Sequence, residues 1–512
     1  MNYSEITWSA TSSIPLLALL QGLPLALALA IRLAKNQSGL FLIGIGGSLF
    51  QLVDCVILFI GYNPRIASFQ YAERLQLYGP FQYHAAVDGV GVMFALLTAF
   101  LTLMIVLYGH VQGVKPQWRF LVVVFMMEAT LMFQFFSMDI ILFVWGSVLQ
   151  MLLVSTLLRH WSTTGGSFLH RIRYAQFMTI SILLLLLGAG LLGWHHNQAT
   201  GGLWSFDLIQ LAQTPMNDSL QSVVFFLLFY GMAIRIPLFP LHGWLPDVAQ
   251  HGMVAVVPIF LLGLKIGVFG ILRFVLPLTP HAVLFWHQFV VAIAVTGIFY
   301  AAVLALMQAN IRRLLAYAVI SHTGIITIGL FSLEHRALEG AVLLSVNLGL
   351  ATTGLLVAAG FVHYRTKTMF MDRLGGLFDH FPIIGSVFLI SGLSIVCMPG
   401  TPGFDAVHLV LEAAIGHFGA LVTILAALGN VVSAGFLLWA FHRTFLAKNQ
   451  KDLKIAGMLA PRLQERAVAI LVLFALLSLG LYSEPWIFLI ERSLEGLGNL
   501  FQHAATPGKA LG

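Results

Sequence analysis

Residues 222–247 read SVVFFLLFYGMAIRIPLFPLHGWLPD. An apolar run long enough to carry a helix deep into a membrane ends on Arg235, and Pro237 and Pro240 follow at once. A cation at the end of an apolar helix is costly in hydrocarbon, and proline removes a backbone donor and breaks the helix. The stretch therefore reads as a membrane helix interrupted at a charge.

The rest of the chain agrees. Of 512 residues, 59% are apolar and only 9% are charged, and the apolar residues come in long blocks rather than at amphipathic spacing. A block of about 20 apolar residues crosses a hydrocarbon core of about 30 Å as a helix whose backbone groups bond one another internally. About fourteen such blocks follow in order: 13–33, 39–61, 86–109, 118–137, 140–160, 174–194, 219–238, 252–276, 285–308, 313–333, 338–362, 382–414 (broken), 417–441 and 466–484. The first has a weak positive flank and no small-residue cleavage site, so it reads as a retained helix. The expected fold is an all-α integral membrane protein in one polytopic domain, with no strands.

Loop charge gives an orientation. Of the 26 lysines and arginines, 18 fall in odd-numbered loops and four (Arg65, Arg74, Arg273 and Arg336) in even-numbered ones. The excess places odd loops in the cytoplasm and both termini outside. The net charge of +6 is thus an orientation signal, and no basic patch points to nucleic acid. Cys55 and Cys397 are the only cysteines, each alone in an apolar run, which is too few thiolates for an iron–sulfur or zinc site. No P-loop or dinucleotide fingerprint occurs. Redox or nucleotide chemistry is therefore expected on partners, and no cofactor on this chain.

Residues 398–404, MPGTPGF, interrupt a second long block. Two broken helices at corresponding places point to two inverted five-helix repeats with the functional centre at the breaks. The expected segments are 1–117, 118–276, 285–447 and 448–512.

The residues AVDGVGVMFALLTAFLT (86–102), RIPLFPLHGWLPD (235–247), LKIGVFGILRF (264–274), NIRRLLAYAVISHTGI (310–325), MPGTPGF and SLGLYSEPW (478–486) resemble the antiporter-like membrane subunits of complex I, the chain 4/M type above all. The Mrp sodium/proton antiporter subunits are relatives of that family. The resemblance covers roughly residues 85–486. It implies fourteen helices, two inverted repeats and a central row of ionisable residues that carries protons, driven by quinone reduction in neighbouring subunits.

That row typically holds a glutamate in helix 5, lysines in helices 7 and 8, a histidine in helix 11 and a glutamate or lysine in helix 12. Gly146 stands at the first position, Arg235 at the second, Leu348 at the histidine and Val407 at the acid. Lys265 alone is unchanged, and helix 10 keeps Ser321 and His322. A lysine beside a glutamate can lose and regain its proton as its partner moves, whereas a guanidinium stays charged. The carried-over relay is altered at its centre.

Substitutes are present. Glu128 lies on the fourth span beside the vacated glutamate position, where it is expected to pair with Arg235. Asp405, His408 and Glu412 surround Val407 and would rebuild an outlet. Plainer readings exist: Arg235 as a snorkelling or structural charge, Glu128 as a protonated packing residue and His322 as a core histidine. Lys265, well inside its block, is better read as functional, and His242 and Asp247 as surface residues capping the connection after the seventh span.

Three functions stay open. One is a proton-conducting subunit of a complex I-like NADH:quinone oxidoreductase, with NADH, FMN, Fe–S clusters and quinone on other subunits. Another is a subunit of an energy-coupled CO2-hydration complex, and the third is a non-pumping structural paralogue. All three place the chain in a bacterial inner membrane among membrane and peripheral partners.

Overall fold

The computed structural model describes residues 4–79, 81–162, 167–252, 266–448 and 460–504. The apolar blocks form α1 (Leu16–Leu33), α2 (Leu40–Gly61), α3 (Gly89–Gln112), α4 (Gln117–Phe136), α5 (Ile140–His160), α6 (Ser167–Ala199) and α7 (Asp218–Arg235). Then come α8 (Trp244–His251), α9 (Ile266–Leu278), α10 (Pro280–Leu306), α11 (Ile311–Phe331), α12 (His335–Thr366), α13 (Pro382–Ile395), α14 (Pro402–Phe441), α15 (Leu463–Leu481) and α16 (Glu484–Ala504). Among the described residues 12 helices are long and apolar enough to cross a membrane, and α9 and α13 are shorter apolar helices. The chain is thus a mostly helical multi-pass membrane protein. The α11 and α12 windows are wholly buried and form the centre, whereas α1, α2 and α15 turn most of their apolar surface outward, as a bundle solvated by lipid must.

Both proline/glycine stretches are breaks. After α7 ends at Arg235 the chain turns through residues 236–243 and resumes as α8, and the Trp244 indole donates to the Ile234 carbonyl at 2.9 Å, tying the two segments. After α13 it turns through residues 396–401 and resumes at Pro402, whose ring suits the first helical turn. Gly400 sits there at φ 84°, a conformation open to glycine. The long α14 bends again at Gly419, φ 78°, at the start of what the sequence reads as its thirteenth block.

Strands do occur, contrary to expectation. β1 (Glu5–Thr7), β2 (Phe69–Tyr78) and β3 (Phe81–Val87) make a three-stranded sheet in the order β1-β2-β3. Hydropathy hid it because the stretch between the second and third blocks is too polar to span and too short to attract a separate reading. The alternation in FQYAERLQLY is nevertheless a strand signal.

The sheet gathers one end of the bundle. His84 of β3 has Nε2 2.7 Å from Glu5 of β1 and Nδ1 hydrogen-bonded to Asp207, from the segment between α6 and α7. Asp139, the N-cap of α5, bridges to Asp207, and the Met138 amide donates to the His84 carbonyl at 2.9 Å. Ser493 of α16 meets Gly89 and Tyr62. The N-terminal strand, the even-numbered loops and the last helix therefore share one end. At the other end Trp161 donates to the Lys115 carbonyl, Ser162 to His251, Arg312 to Gly252, and the Phe378 amide to the Phe445 carbonyl. Those contacts join odd-numbered loops, so the cation excess counted along the sequence is an excess at one physical face.

The His84 cluster has a pH dependence. Burial alone would lower the His84 pKa, but its hydrogen bonds to Asp207 and Glu5, aided by their charge, outweigh it and raise the value. A raised folded-state value contributes stability fully below the ordinary histidine value of about 6.5 and loses it as pH rises through the folded value. The nearby Asp139 is raised to about 6, chiefly by burial, and acts with the same sign. Amide exchange in β1 and at the Gln70–Val87 pairing, corrected for intrinsic base catalysis, is expected to accelerate from about pH 6 to about pH 9. His84→Ala is expected to loosen both and remove the difference. Equal protection at both pH values in the unaltered protein would disprove the pH dependence of the His84 cluster.

Candidate charge row at two helix breaks

Arg235 ends α7 with its side chain 3% exposed. Its Nη1 donates to Gln150 Oε1 at 2.7 Å and Nη2 to the Ser147 carbonyl at 3.3 Å. Both acceptors belong to α5, Ser147 directly after Gly146 and Gln150 one turn past it. The expected pairing with Glu128 is not formed: Glu128 is 1% exposed and neither of its oxygens makes a hydrogen bond or ion pair. Its carboxyl instead faces α2 and α3, where Thr102 and Cys55 feel it. Helical rotation decides this, since Glu128 and Gly146 are adjacent in span order but turned to different neighbours.

Gly146 is not an empty socket. A Cβ there would stand 2.5 Å from Gln134 Cγ. Gln134 fills the space from α4 and donates to the Phe143 carbonyl at 3.1 Å and to Ser147 Oγ at 3.0 Å. The space beside Gly146 is thus filled by a neutral amide from α4, and Arg235 is bonded to another on α5. The Arg235–Gln150 hydrogen bond joins two side chains neither of which titrates near neutral pH.

At the second break the polar groups are again amides. Asn347, beside Leu348 on α12, donates to the Ser394 carbonyl at 2.9 Å and accepts from Ser394 Oγ at 2.5 Å. Asn430 of α14 donates to the Val396 carbonyl at 2.8 Å, so two carbonyls at the α13 end of the break are held. His322 of α11, 1% exposed, lies against Asn430. Gln134, Gln150, Asn347 and Asn430 were missed by a reading that looked for charge. An amide inside an apolar block is itself the signal, because an unbonded polar group there is expensive.

The outlet residues divide. Asp405 accepts from Ser483 and, with His408, Tyr482, Glu484 and Glu491, lines a pocket beside the start of α16. Glu412 faces Arg336 instead, at 3.6 Å, both exposed, and does not join them. Asp247 pairs with Arg173 at the cation-rich face. His242 corrects its surface reading: it is 7% exposed, packed on Phe239 and Tyr300, with Nδ1 unpartnered. The turn after Pro240 folds inward, which proline spacing alone does not reveal. Lys265 lies outside the described residues. Arg273, further along α9, donates to Asp88 at 2.8 Å with its guanidinium 4.8 Å from the Phe69 and Phe269 rings, locking α9 to the sheet end.

A polytopic bundle with buried polar side chains at two interrupted helices has the architecture of membrane proteins built round broken helices. The chain belongs to the NADH:quinone oxidoreductase/Mrp antiporter transmembrane family, whose model matches residues 137–433. It is 27% identical over 500 residues to NADH-ubiquinone oxidoreductase chain 4 of Marchantia polymorpha, covering 94% of this chain and 96% of that one. It is 28% identical over 426 residues to NADH-quinone oxidoreductase subunit M of Escherichia coli (strain K12), covering 82% of each. A chain of respiratory complex I from Thermus thermophilus superposes with TM-score 0.85 at 25% identity, over 95% of this chain and 99% of that one. A chain of the Mrp complex from Dietzia sp. shares the fold at TM-score 0.83 and 18% identity, over 95% and 97%.

Proposed function

We propose that the chain is a proton-conducting membrane subunit of a complex I-type NADH:quinone oxidoreductase, working through Lys265, Arg235, Glu128 and His322 with Asp405 and His408 at an exit. Glu412, held at the surface by Arg336, is the weakest member of that set. The observation that carries the proposal is the pair of helix breaks, each lined by buried polar side chains, in a chain alike along nearly its whole length to chain 4/M subunits. The relatives' names favour this over a CO2-hydration complex. The NADH, flavin, iron–sulfur and quinone sites belong, on this reading, to partner subunits. Two inverted five-helix repeats, residues 118–276 and 285–447, would carry one break each.

The protein would lie in the cytoplasmic membrane, with the cation-rich face inward. A tag before Met1 and one after Gly512 are then expected to label from outside the cell, and one inserted near Lys451 only after permeabilisation. Affinity purification from native membranes through the C-terminal tag is expected to bring down flavin- and iron–sulfur-bearing NADH dehydrogenase subunits. Recovery of a carbonic-anhydrase-like subunit, or of no redox subunit, would refute the assignment.

A further inference from the structure

The contacts of His322 do not balance for a neutral ring. Its Nδ1 lies 3.0 Å from the Ala318 carbonyl, and Nε2 lies 3.3 Å from Asn430 Oδ1. Asn430 is oriented by its other end, where Nδ2 donates to the Val396 carbonyl at 2.8 Å. A carbonyl oxygen only accepts, so each end of the Ala318–His322–Asn430–Val396 chain demands a donor. A neutral imidazole offers one N–H and one lone pair, and an amide offers one donor end and one acceptor end. If Nδ1 carries the proton, the Nε2 lone pair faces Oδ1. If Nε2 carries it, the Nδ1 lone pair faces the Ala318 oxygen. Turning the amide only moves the conflict to Val396. One additional proton removes it, because an imidazolium donates at both nitrogens.

We infer that His322 and Asn430 form a binding site for one proton, and that its occupancy is coupled to the break between α13 and α14. With the proton present, His322 donates to Asn430 Oδ1 and Asn430 holds the Val396 carbonyl. When the proton leaves, the bare Nε2 needs a donor, the amide turns to supply it, and the tie to Val396 is released. Asn430 is a positioning residue here: it sets where the proton is held and transmits its presence to the broken helix. Among the described residues, the groups bearing on the ring are the Ala318 carbonyl of α11, the Ile395 carbonyl at the end of α13 and Asn430 of α14, none of them charged. On α10 the neighbour of this turn is apolar, Ile298, whose carbonyl accepts from Ser321. Ser394 and Asn347, the polar pair of α13 and α12, are satisfied by each other. The inference deepens the proton-conducting reading and rests on it for its role, but not for the proton itself.

The test reads the ring directly. The purified complex, labelled with 15N-histidine and returned to lipid vesicles, is examined by solid-state NMR about a unit above the ordinary histidine value of about 6.5. The chain holds 18 histidines, so the His322 signal is taken as the difference from His322→Gln. The expected difference signal has two protonated ring nitrogens. Asn430→Leu, which removes the acceptor, is expected to convert it to one protonated and one bare nitrogen. Asn430→Asp is expected to retain the imidazolium while losing the donor to Val396 and, with it, proton flux. If His322→Gln does not assemble, the Asn430→Leu difference reads the same signal. A neutral ring in the parent, or an imidazolium that survives Asn430→Leu, overturns the site. An imidazolium in a complex that conducts no protons would leave the site standing and remove only the transport reading.

Discussion

Lys265→Ala is expected to abolish coupled proton movement while leaving the complex assembled. On the proposed pathway Lys265 is the titratable cation, because Arg235 is held by neutral acceptors and a guanidinium stays charged. An alanine offers the proton nothing to bind, and the barrier for a bare charge in a low-dielectric interior is several kcal/mol. Proteoliposomes holding the variant complex are expected to oxidise NADH yet build no pH gradient above that of a leak control. Glu128→Gln is expected to weaken the gradient without eliminating it. Its carboxyl is buried without a hydrogen bond, and an amide of equal size keeps the packing but removes the ionisable proton. A normal gradient in both variants would return the chain to a scaffold.

Arg235→Lys is expected to open a proton leak that grows with pH. The guanidinium reaches Gln150 and the Ser147 carbonyl together through its fork, a geometry that an ammonium, a compact point donor, does not reproduce. The variant therefore loses one of two charge-assisted bonds, each worth about 1.5–3 kcal/mol. It also gains a cation that can give up its proton where a guanidinium does not. The deprotonated fraction of that lysine rises with pH, so passive proton permeability, measured in vesicles from about pH 6 to about pH 9, is expected to rise with it. Adding Gln150→Glu to Arg235→Lys restores a carboxylate partner and is expected to suppress the leak and recover coupling. Permeability indistinguishable from the parent across the range would mean that Arg235 is a tolerated substitution with no gating role.

The arginine question has a different answer in three dimensions from the one its sequence suggests. A buried cation calls for an acid, and Glu128 was the acid at hand in the linear order of spans. The fold supplies a glutamine 85 residues away instead. A permanently charged guanidinium is held here by hydrogen-bond acceptors rather than a counter-ion, and α5 provides two, leaving Nε without one.

The spans, the two breaks and the one-sided cation excess were legible in the sequence because each follows from a local rule. Hydrocarbon demands about 20 apolar residues per crossing, proline and glycine interrupt helices wherever they stand, and loop cations choose a side one loop at a time. No neighbour has to be known to apply any of them. Which face of each helix meets which other helix is set by lateral packing among segments far apart in the chain, and it leaves little trace in hydropathy. That packing alone turned Glu128 away from Arg235, set Gln134 over Gly146, closed Glu5, His84 and Asp207 into one cluster, and aligned His322 with Asn430 across 108 residues. Hydrogen-bond partners are fixed to tenths of an ångström and hydropathy is averaged over whole helices, so the sequence carried the architecture while the chemistry of the charge row waited on the tertiary structure.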